Sequence, residues 1–376
     1  MQMLSNTKVT SNRGCSVVLH SSLVIVFLVL GSCTLFGQTG PAPMPEYVPA
    51  HKVTGVIRNY GSALAGVVKN WEEEFATVQP GITFKDNFAG SDAAISGLDT
   101  KEFDLAPNGR EAQFIEYLSF FEAYGVEPFE VVVGTGAYDV PGRTWAEVIF
   151  VNKDNPLNQL TMKQLDGIFG EARTGAVEHY VMKPDAARSA DENIRTWGQL
   201  GLRGEWANRP IQTYGYAPTG MSYFFQQKVL HGSDKWNPNY KEYAESDTKM
   251  VNPQMSAGLG SHDMLLDISK DKYGIGWGGI GQAKGIPNLK ILALADHEGA
   301  PYINPSLESV QDRTYPLTRS IFIYLNHVRG SALDPKLKEF LFFVLSEQGQ
   351  EVLRKQGEYL PLPAEVVLQQ RARLDQ

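Results

Sequence analysis

Two short polar turns between Phe88 and Glu111 carry the residues with the clearest chemistry, and each runs straight into a helical pattern. Gly90-Ser91-Asp92-Ala93-Ala94-Ile95 reads as a tight turn opening a helix whose apolar positions are Ile95 and Leu98, with Ser91 or Asp92 at its N-cap. Asn108-Gly109-Arg110 reads as a second turn, which follows a short buried strand at Asp104-Leu105-Ala106 and releases a helix carrying Phe114, Ile115 and Leu118. The first turn of a helix leaves backbone N–H groups unpaired and gathers about half a positive charge. Two such starts beside a hydroxyl and a guanidinium make a seat for an oxyanion.

The surrounding elements have to bring those starts to one edge. Residues 53–57 have the apolar density of a strand, and behind a Gly61-Ser62 turn Leu64, Val67, Val68, Trp71 and Phe75 recur at helical spacing. Residues 81–88 return as a strand between Pro80 and Gly90. Strand and helix alternate three times, which predicts a parallel sheet with ligands beyond the carboxyl ends of its strands. Strand signals at 129–133 and 146–151 lead into a second alternation, with a short helix over 160–169 and a strand over 211–216. Pro218-Thr219-Gly220-Met221-Ser222 then launches an aromatic-rich helix through Phe224, Phe225, Val229 and Leu230, so the second half sets a helix start of its own at a cleft. Strands over 273–280, 289–294 and 319–326, helices over 337–345 and 349–355, and a polar, loosely held tail over 363–376 complete the pattern.

At 376 residues the chain calls for two lobes, at about 150 residues per domain. A net charge of −8, from 42 acidic and 34 basic side chains, argues against non-specific nucleic-acid binding, so an anion has to be held locally. Lys8 and Arg13 precede the apolar run Leu23 to Leu30, a signal for export that is too short to span a bilayer. Leu30-Gly31-Ser32-Cys33 resembles a bacterial lipobox, which predicts cleavage before Cys33 and acylation of its thiol, with ordinary cleavage near Gly37 as the alternative. Cys15 would leave with the signal, so no disulfide is expected, and Pro41, Pro43, Pro45 and Pro49 mark a tether. The expected organisation is a signal over 1–32, a tether over 33–50, one lobe from 51–145 plus 281–363, a second from 146–280, and a tail over 364–376.

Several blocks in order resemble the substrate-binding proteins of bacterial ABC phosphate transporters. Gly61-Ser62 with Trp71 and Phe75 resembles the family's first ligand loop and helix, and Gly90 to Ile95 is similar to its Gly-Ser-Gly-x-Gly-Ile turn. Asp104-Leu105-Ala106-Pro107-Asn108-Gly109-Arg110-Glu111 resembles its Asp-Ile-Gly-x-Ser-Ser-Arg-Glu segment. Val151 to Leu157 with Leu165 to Gly170 resembles the start of its second lobe, Thr219-Gly220-Met221 stands in place of its Ser-Gly-Thr loop, and Gly274-Ile275-Gly276-Trp277 is similar to its Gly-Ile-Gly-Tyr strand. Tyr315-Pro316-Leu317-Thr318-Arg319 resembles Tyr-Pro-Leu-Ser-Arg, and the stretch from Phe343 to Leu362 resembles the closing segment. Three departures fall at the site: Asn108-Gly109 replaces two serines, Met221 replaces a threonine, and Gly215 stands where many relatives carry a second phosphate-binding arginine.

The resemblance implies an α/β, two-lobed type II periplasmic-binding-protein fold, each lobe a mostly parallel sheet flanked by helices, with the ligand in the interlobe cleft. It implies capture of phosphate or a similar oxyanion by Ser62, Ala63, Ser91, Asp92, Asn108, Arg110, Thr219, Gly220 and Ser222. Hydroxyls and helix-start amides would donate, Arg110 would grip two oxygens at once, and Asp92 would accept the proton that hydrogen phosphate keeps and sulfate lacks. The implied partner is an ABC permease in the inner membrane, served by a lipid-anchored monomer in the periplasm or at the cell surface. No cofactor, metal or nucleic acid is expected. The seven histidines include no pair three or four apart, and no nucleophile stands beside a base, so no enzyme is expected either. Gly276-Trp277-Gly278-Gly279-Ile280-Gly281 spells the dinucleotide fingerprint, but Gly285 and Pro287 follow too soon for its helix. Two alternatives are a sensor or scaffold of the same fold with an altered anion site, and a phosphate-ester hydrolase.

Overall fold

The computed structural model describes residues 42–61, 64–88, 93–140, 143–218, 220–244 and 260–376. The first run comprises β1 (Gly55–Tyr60), α1 (Ala65–Val78), β2 (Ile82–Asn87), α2 (Ala94–Asp99), β3 (Leu105–Asn108), α3 (Phe114–Tyr124) and β4 (Phe129–Thr135). Then come β5 (Glu147–Asn152), β6 (Gln159–Thr161), α4 (Met162–Phe169), β7 (Ala176–Glu178), β8 (Val181–Lys183), β9 (Gln212–Tyr216), α5 (Gly220–Val229), β10 (Lys241–Tyr243), α6 (Ser261–Lys270) and β11 (Gly274–Gly279). The chain closes through β12 (Leu289–Ile291), β13 (Ala293–Ala295), α7 (Leu307–Gln311), β14 (Ser320–Leu325), α8 (Pro335–Val344), α9 (Glu347–Gln356) and α10 (Ala364–Leu374).

Two five-stranded sheets organise these elements, in the orders β2-β1-β3-β14-β4 and β10-β9-β11-β5-β12. Each runs four strands one way and one strand against them. In the first sheet β14 is antiparallel to both β3 and β4, and in the second β5 is antiparallel to both β11 and β12. The reversed strands are the ones the chain enters on crossing between sheets, from β4 into β5 and back into β14. The two crossing segments bond to each other: Gly136 donates its N–H to the Arg319 carbonyl at 2.9 Å, and Glu147 to the Leu317 carbonyl at 3.0 Å.

Each sheet has its own core. Trp71, Phe75, Phe340, Val344 and Leu353 pack on the first sheet from α1, α8 and α9, and Phe150, Leu165, Trp197, Phe225, Leu265 and Trp277 fill the second. A smaller cluster joins Ile95, Leu98, Tyr117 and Phe120 of α2 and α3 to Phe322 and Tyr324 of β14. Two segments differ from expectation. Strand β12 pairs with β5, and Leu292, Leu294, Tyr315 and Leu317 lie in the second core, so the return to the first sheet comes near Ser320 rather than at 281. The polar tail is the helix α10, because Val367 and Leu374 give it an apolar side to bury in the first core.

Strands β7 and β8 form a hairpin with Val177 opposite Met182. Its base lies beside the end of α5, where a Cβ on Gly232 would stand 2.7 Å from the Val177 carbonyl oxygen. Its tip lies on α3. His179, at φ 57°, stacks on Tyr117 with centroids 3.9 Å apart and planes at 17°, and its Nδ1 is 2.9 Å from a Glu127 carboxylate oxygen. Tyr180 meets Phe121 at 4.4 Å.

Candidate anion-binding site

Parallel pairing of β1 with β2 and with β3 sends the segments that follow these strands off the same edge of the first sheet. The turn after β1 sits directly on β3: a Cβ at Gly61 would fall 2.1 Å from the Pro107 carbonyl oxygen, so only glycine fits. Ser62, Ala63, Ser91, Asp92 and Thr219 lie outside the described residues, as does the lipidation candidate Cys33. Asn108, Arg110, Gly220 and Ser222 are described, and they come from both halves of the chain.

Asn108 ends β3 with no exposed surface. Its Oδ1 accepts from the Arg110 backbone N–H at 3.3 Å, and its Nδ2 has no partner among the described residues. Such a buried donor costs about 1–3 kcal/mol until something accepts from it. In this chain, then, Asn108 offers an amide donor where the resemblance places a serine hydroxyl.

Arg110 is held differently from expectation. Its Nη1 and Nη2 meet the two carboxylate oxygens of Glu116 at 2.7 and 2.9 Å, and Nη1 also donates to the Glu111 carbonyl at 3.0 Å. The same Glu116 accepts from the Gln113 backbone N–H at 2.7 Å as part of the capping box of α3. The cap therefore places a carboxylate in the guanidinium fork, and the two-oxygen grip assigned to an anion is made by Glu116.

Helix α5 comes from the second half and starts against Arg110. A Cβ on Gly220 would stand 3.2 Å from Arg110 Cδ. Ser222 is buried in the first turn of α5, and Met221 packs into the second core, so replacing a threonine there adds apolar contact on the far side of the helix start. Burial, with Glu111 and Glu116 nearby, pushes the Tyr223 hydroxyl well above the ordinary phenol range.

Gly215 sits under an aromatic stack. A Cβ there would fall 2.0 Å from the Tyr240 hydroxyl and 2.4 Å from Trp277 Nε1. Phe225 lies flat on Trp277 at 4.5 Å and Trp236 on Tyr240 at 4.6 Å. These rings occupy the volume a side chain at 215 would need, so no arginine can stand there.

The sequence reading also missed Arg319, although its block carried part of the resemblance. Arg319 is 3% exposed, its guanidinium lies over the Phe224 ring at 5.1 Å, and its Nη2 is 3.2 Å from a Glu111 carboxylate oxygen and 3.5 Å from the Gly220 carbonyl. The sequence places it at the start of the strand over 319–326, and strand spacing does not tell what a guanidinium at that end touches.

Beside the ends of β1 and β2 lies a buried carboxylate cluster. Asn59 Nδ2 donates to Glu72 at 2.7 Å and to Asp86 at 3.0 Å, and Lys69 bonds to both acids. Burial, together with the Asp86 charge, pushes Glu72 up to about 7 against the pull of Lys69. The native state thus holds this proton more tightly than the unfolded chain, so the stability it contributes is complete below the ordinary glutamate range and is lost as pH rises through about 7. Urea unfolding followed from pH 5 to 8 should show that decline in the natural chain and a flatter profile in Glu72→Gln; equal slopes would contradict the assignment.

Among the described residues no three or more His, Cys, Asp or Glu side chains group to hold a metal, and no helix is long and apolar enough to cross a membrane. The glycine-rich fingerprint runs through β11 into the short 3-10 turn Ile280–Ala283, without the long helix a pyrophosphate site uses.

Residues 61–348 match the family model of the PBP superfamily domain. The chain is 32% identical over 350 residues to the phosphate-binding protein PstS of Pseudomonas aeruginosa, which covers 93% of this chain and 95% of that protein. It is 26% identical over 296 residues to protein SphX of Synechococcus elongatus, over 78% of this chain and 73% of that one. An ABC-type phosphate transport receptor from Vibrio cholerae aligns in structure over 81% of this chain and 99% of its own, with a TM-score of 0.48 and 19% identity. The chain therefore belongs to the PBP superfamily, in the family of phosphate-binding proteins that includes the Pseudomonas aeruginosa relative.

Proposed function

We propose that this chain captures inorganic phosphate outside the cytoplasm and delivers it to an ABC permease. The observation that carries this reading is the contact of Arg110, from the first sheet's edge and two residues on from Asn108, with the start of α5 at Gly220; the buried amide donor of Asn108 has no partner among the described residues. Ser62, Ala63, Ser91, Asp92, Thr219 and Ser222 complete the proposed ligand set, and the names of the relatives support phosphate as the ligand. The two lobes are assigned to the two sheets, with the crossing segments as their hinge. Export by the N-terminal signal and a lipid on Cys33 would keep a monomer at the membrane surface. Binding and release without bond cleavage is the proposed activity.

Selectivity is assigned to Asp92. Its carboxylate accepts the proton of hydrogen phosphate and repels fully ionised sulfate. Titration calorimetry near neutral pH should show phosphate bound and sulfate rejected, with Asp92→Asn narrowing that gap by weakening phosphate. Absence of phosphate heat from the natural chain would remove the proposal, and an unchanged ratio in the variant would remove the role of Asp92.

A further inference from the structure

Arg173 and Arg319 are buried arginines that their partners satisfy to different extents. Arg173, 5% exposed, donates Nη1 and Nη2 to the two oxygens of Asp166 at 2.7 Å each and Nε to the Ala186 carbonyl at 2.6 Å. Every edge of that guanidinium is used. Arg319 is buried to a similar degree, at 3% exposure, yet its acidic contact is one oxygen of Glu111 at 3.2 Å through Nη2. Its Nε is enclosed without a partner among the described residues. Enclosing an arginine donor without an acceptor is costly, and the cost disappears when an anion occupies the free edge.

The position of the side chain narrows what that anion is. Arg319 leaves the crossing segment beside Gly136, whose N–H it accepts through its carbonyl. Its head lies on Phe224 and beside the Gly220 carbonyl, both in α5, and Gly220 is the residue against which Arg110 packs. Glu111, which takes Arg319 Nη2, directly follows Arg110 and gives its carbonyl to Arg110 Nη1. Arg110 and Arg319, with their partner carboxylates, therefore meet beside Gly220, and among the described residues Arg319 Nε and Asn108 Nδ2 are enclosed donors without partners.

We propose that Arg319 is a ligand of the interlobe phosphate, donating from its guanidinium edge alongside Asn108 and the start of α5. Arg319 thereby supplies a second cation from the hinge, in a chain whose aromatic stack leaves no room for one at Gly215. Glu111 holds the guanidinium in place by one contact and competes with the anion for it. Because the side chain is rooted in the crossing segment while its head touches α5, phosphate bound to it joins the hinge to the second half. This inference rests on the phosphate reading above and adds to it a residue that the sequence analysis did not assign.

The test is calorimetry with inorganic phosphate on the full chain and on Arg319→Gln, Arg319→Lys and Glu111→Gln, each checked by circular dichroism and by thermal midpoint without phosphate. Arg319→Gln should bind phosphate about tenfold or more weakly, Arg319→Lys should recover part of the loss through charge alone, and Glu111→Gln should bind at least as tightly as the natural chain. Binding by folded Arg319→Gln within twofold of the natural chain would overturn the proposal. So would an equal loss in Glu111→Gln, since the ion pair and not the ligand contact would then be the cause. Failure of the natural chain to bind phosphate would overturn the functional reading as well, so the two failures are distinct.

Discussion

Replacing Arg110 with alanine should cost both binding and stability, and the two losses separate in a second variant. Arg110 and Glu116 are 12% and 8% exposed at the side chain and share two bonds under 3.0 Å. Removing the guanidinium leaves Glu116 buried without its counter-charge, which costs about 3–5 kcal/mol of folding free energy. Arg110→Gln with Glu116→Gln removes both charges and should recover most of that stability in urea unfolding. Phosphate affinity should stay down by about a hundredfold in the double variant, the scale of one or two charge-assisted hydrogen bonds. A double variant that binds as tightly as the natural chain would show that Arg110 serves only to anchor α3.

A second large effect is expected at Gly215. A Cβ 2.0 Å from the Tyr240 hydroxyl cannot be accommodated without moving a ring enclosed among Trp236, Trp277 and Tyr216. Gly215→Ala should lose about 3 kcal/mol, at the upper end for overpacking, and Gly215→Arg should not yield folded protein. Tyr240→Phe removes the atom nearest the added methyl, so in the alanine background it should return a measurable part of the loss. A mutant cycle in urea checks this, and additive effects would mean that the two residues do not meet.

Much of the architecture was legible because it is written in local periodicity. Apolar spacing located α1, β2, β4, β5, β9, β11 and α9, and the alternation of strand and helix implied largely parallel sheets. Order along the chain does not reveal which sheet a three-residue strand joins. Strand β12 was therefore assigned to the wrong side of a boundary that depends on its pairing with β5. The tail was misread because α10 buries only one side, and its polar residues dominate the composition.

At the site, the legible part was the chemistry that a turn and a helix start announce by themselves. Arg110 was found, but its partner was not, since the choice of Glu116 depends on the capping geometry of α3 rather than on residue type. Gly215 was recognised as a departure, but its cause lies in Tyr240 and Trp277, residues 25 and 62 positions further along, which only folding brings to it. Arg319 escaped for a related reason. The strand read over 319–326 contains it, but its contacts with Phe224, Gly220 and Glu111 come from distant parts of the chain that only folding brings to it.

The hairpin tip on α3 is a second junction between the two halves of the chain. Flat aromatic faces can slip past one another while keeping most of their contact, but pulling them apart wets both at once. His179 lies flat on Tyr117 at 17° while Tyr180 leans on Phe121 at 37°, and the covalent crossings join the two sheets elsewhere. The two halves are thus tied at a point far along the chain from the crossings, and lifting the hairpin off α3 would break the His179–Glu127 contact and wet both pairs of rings.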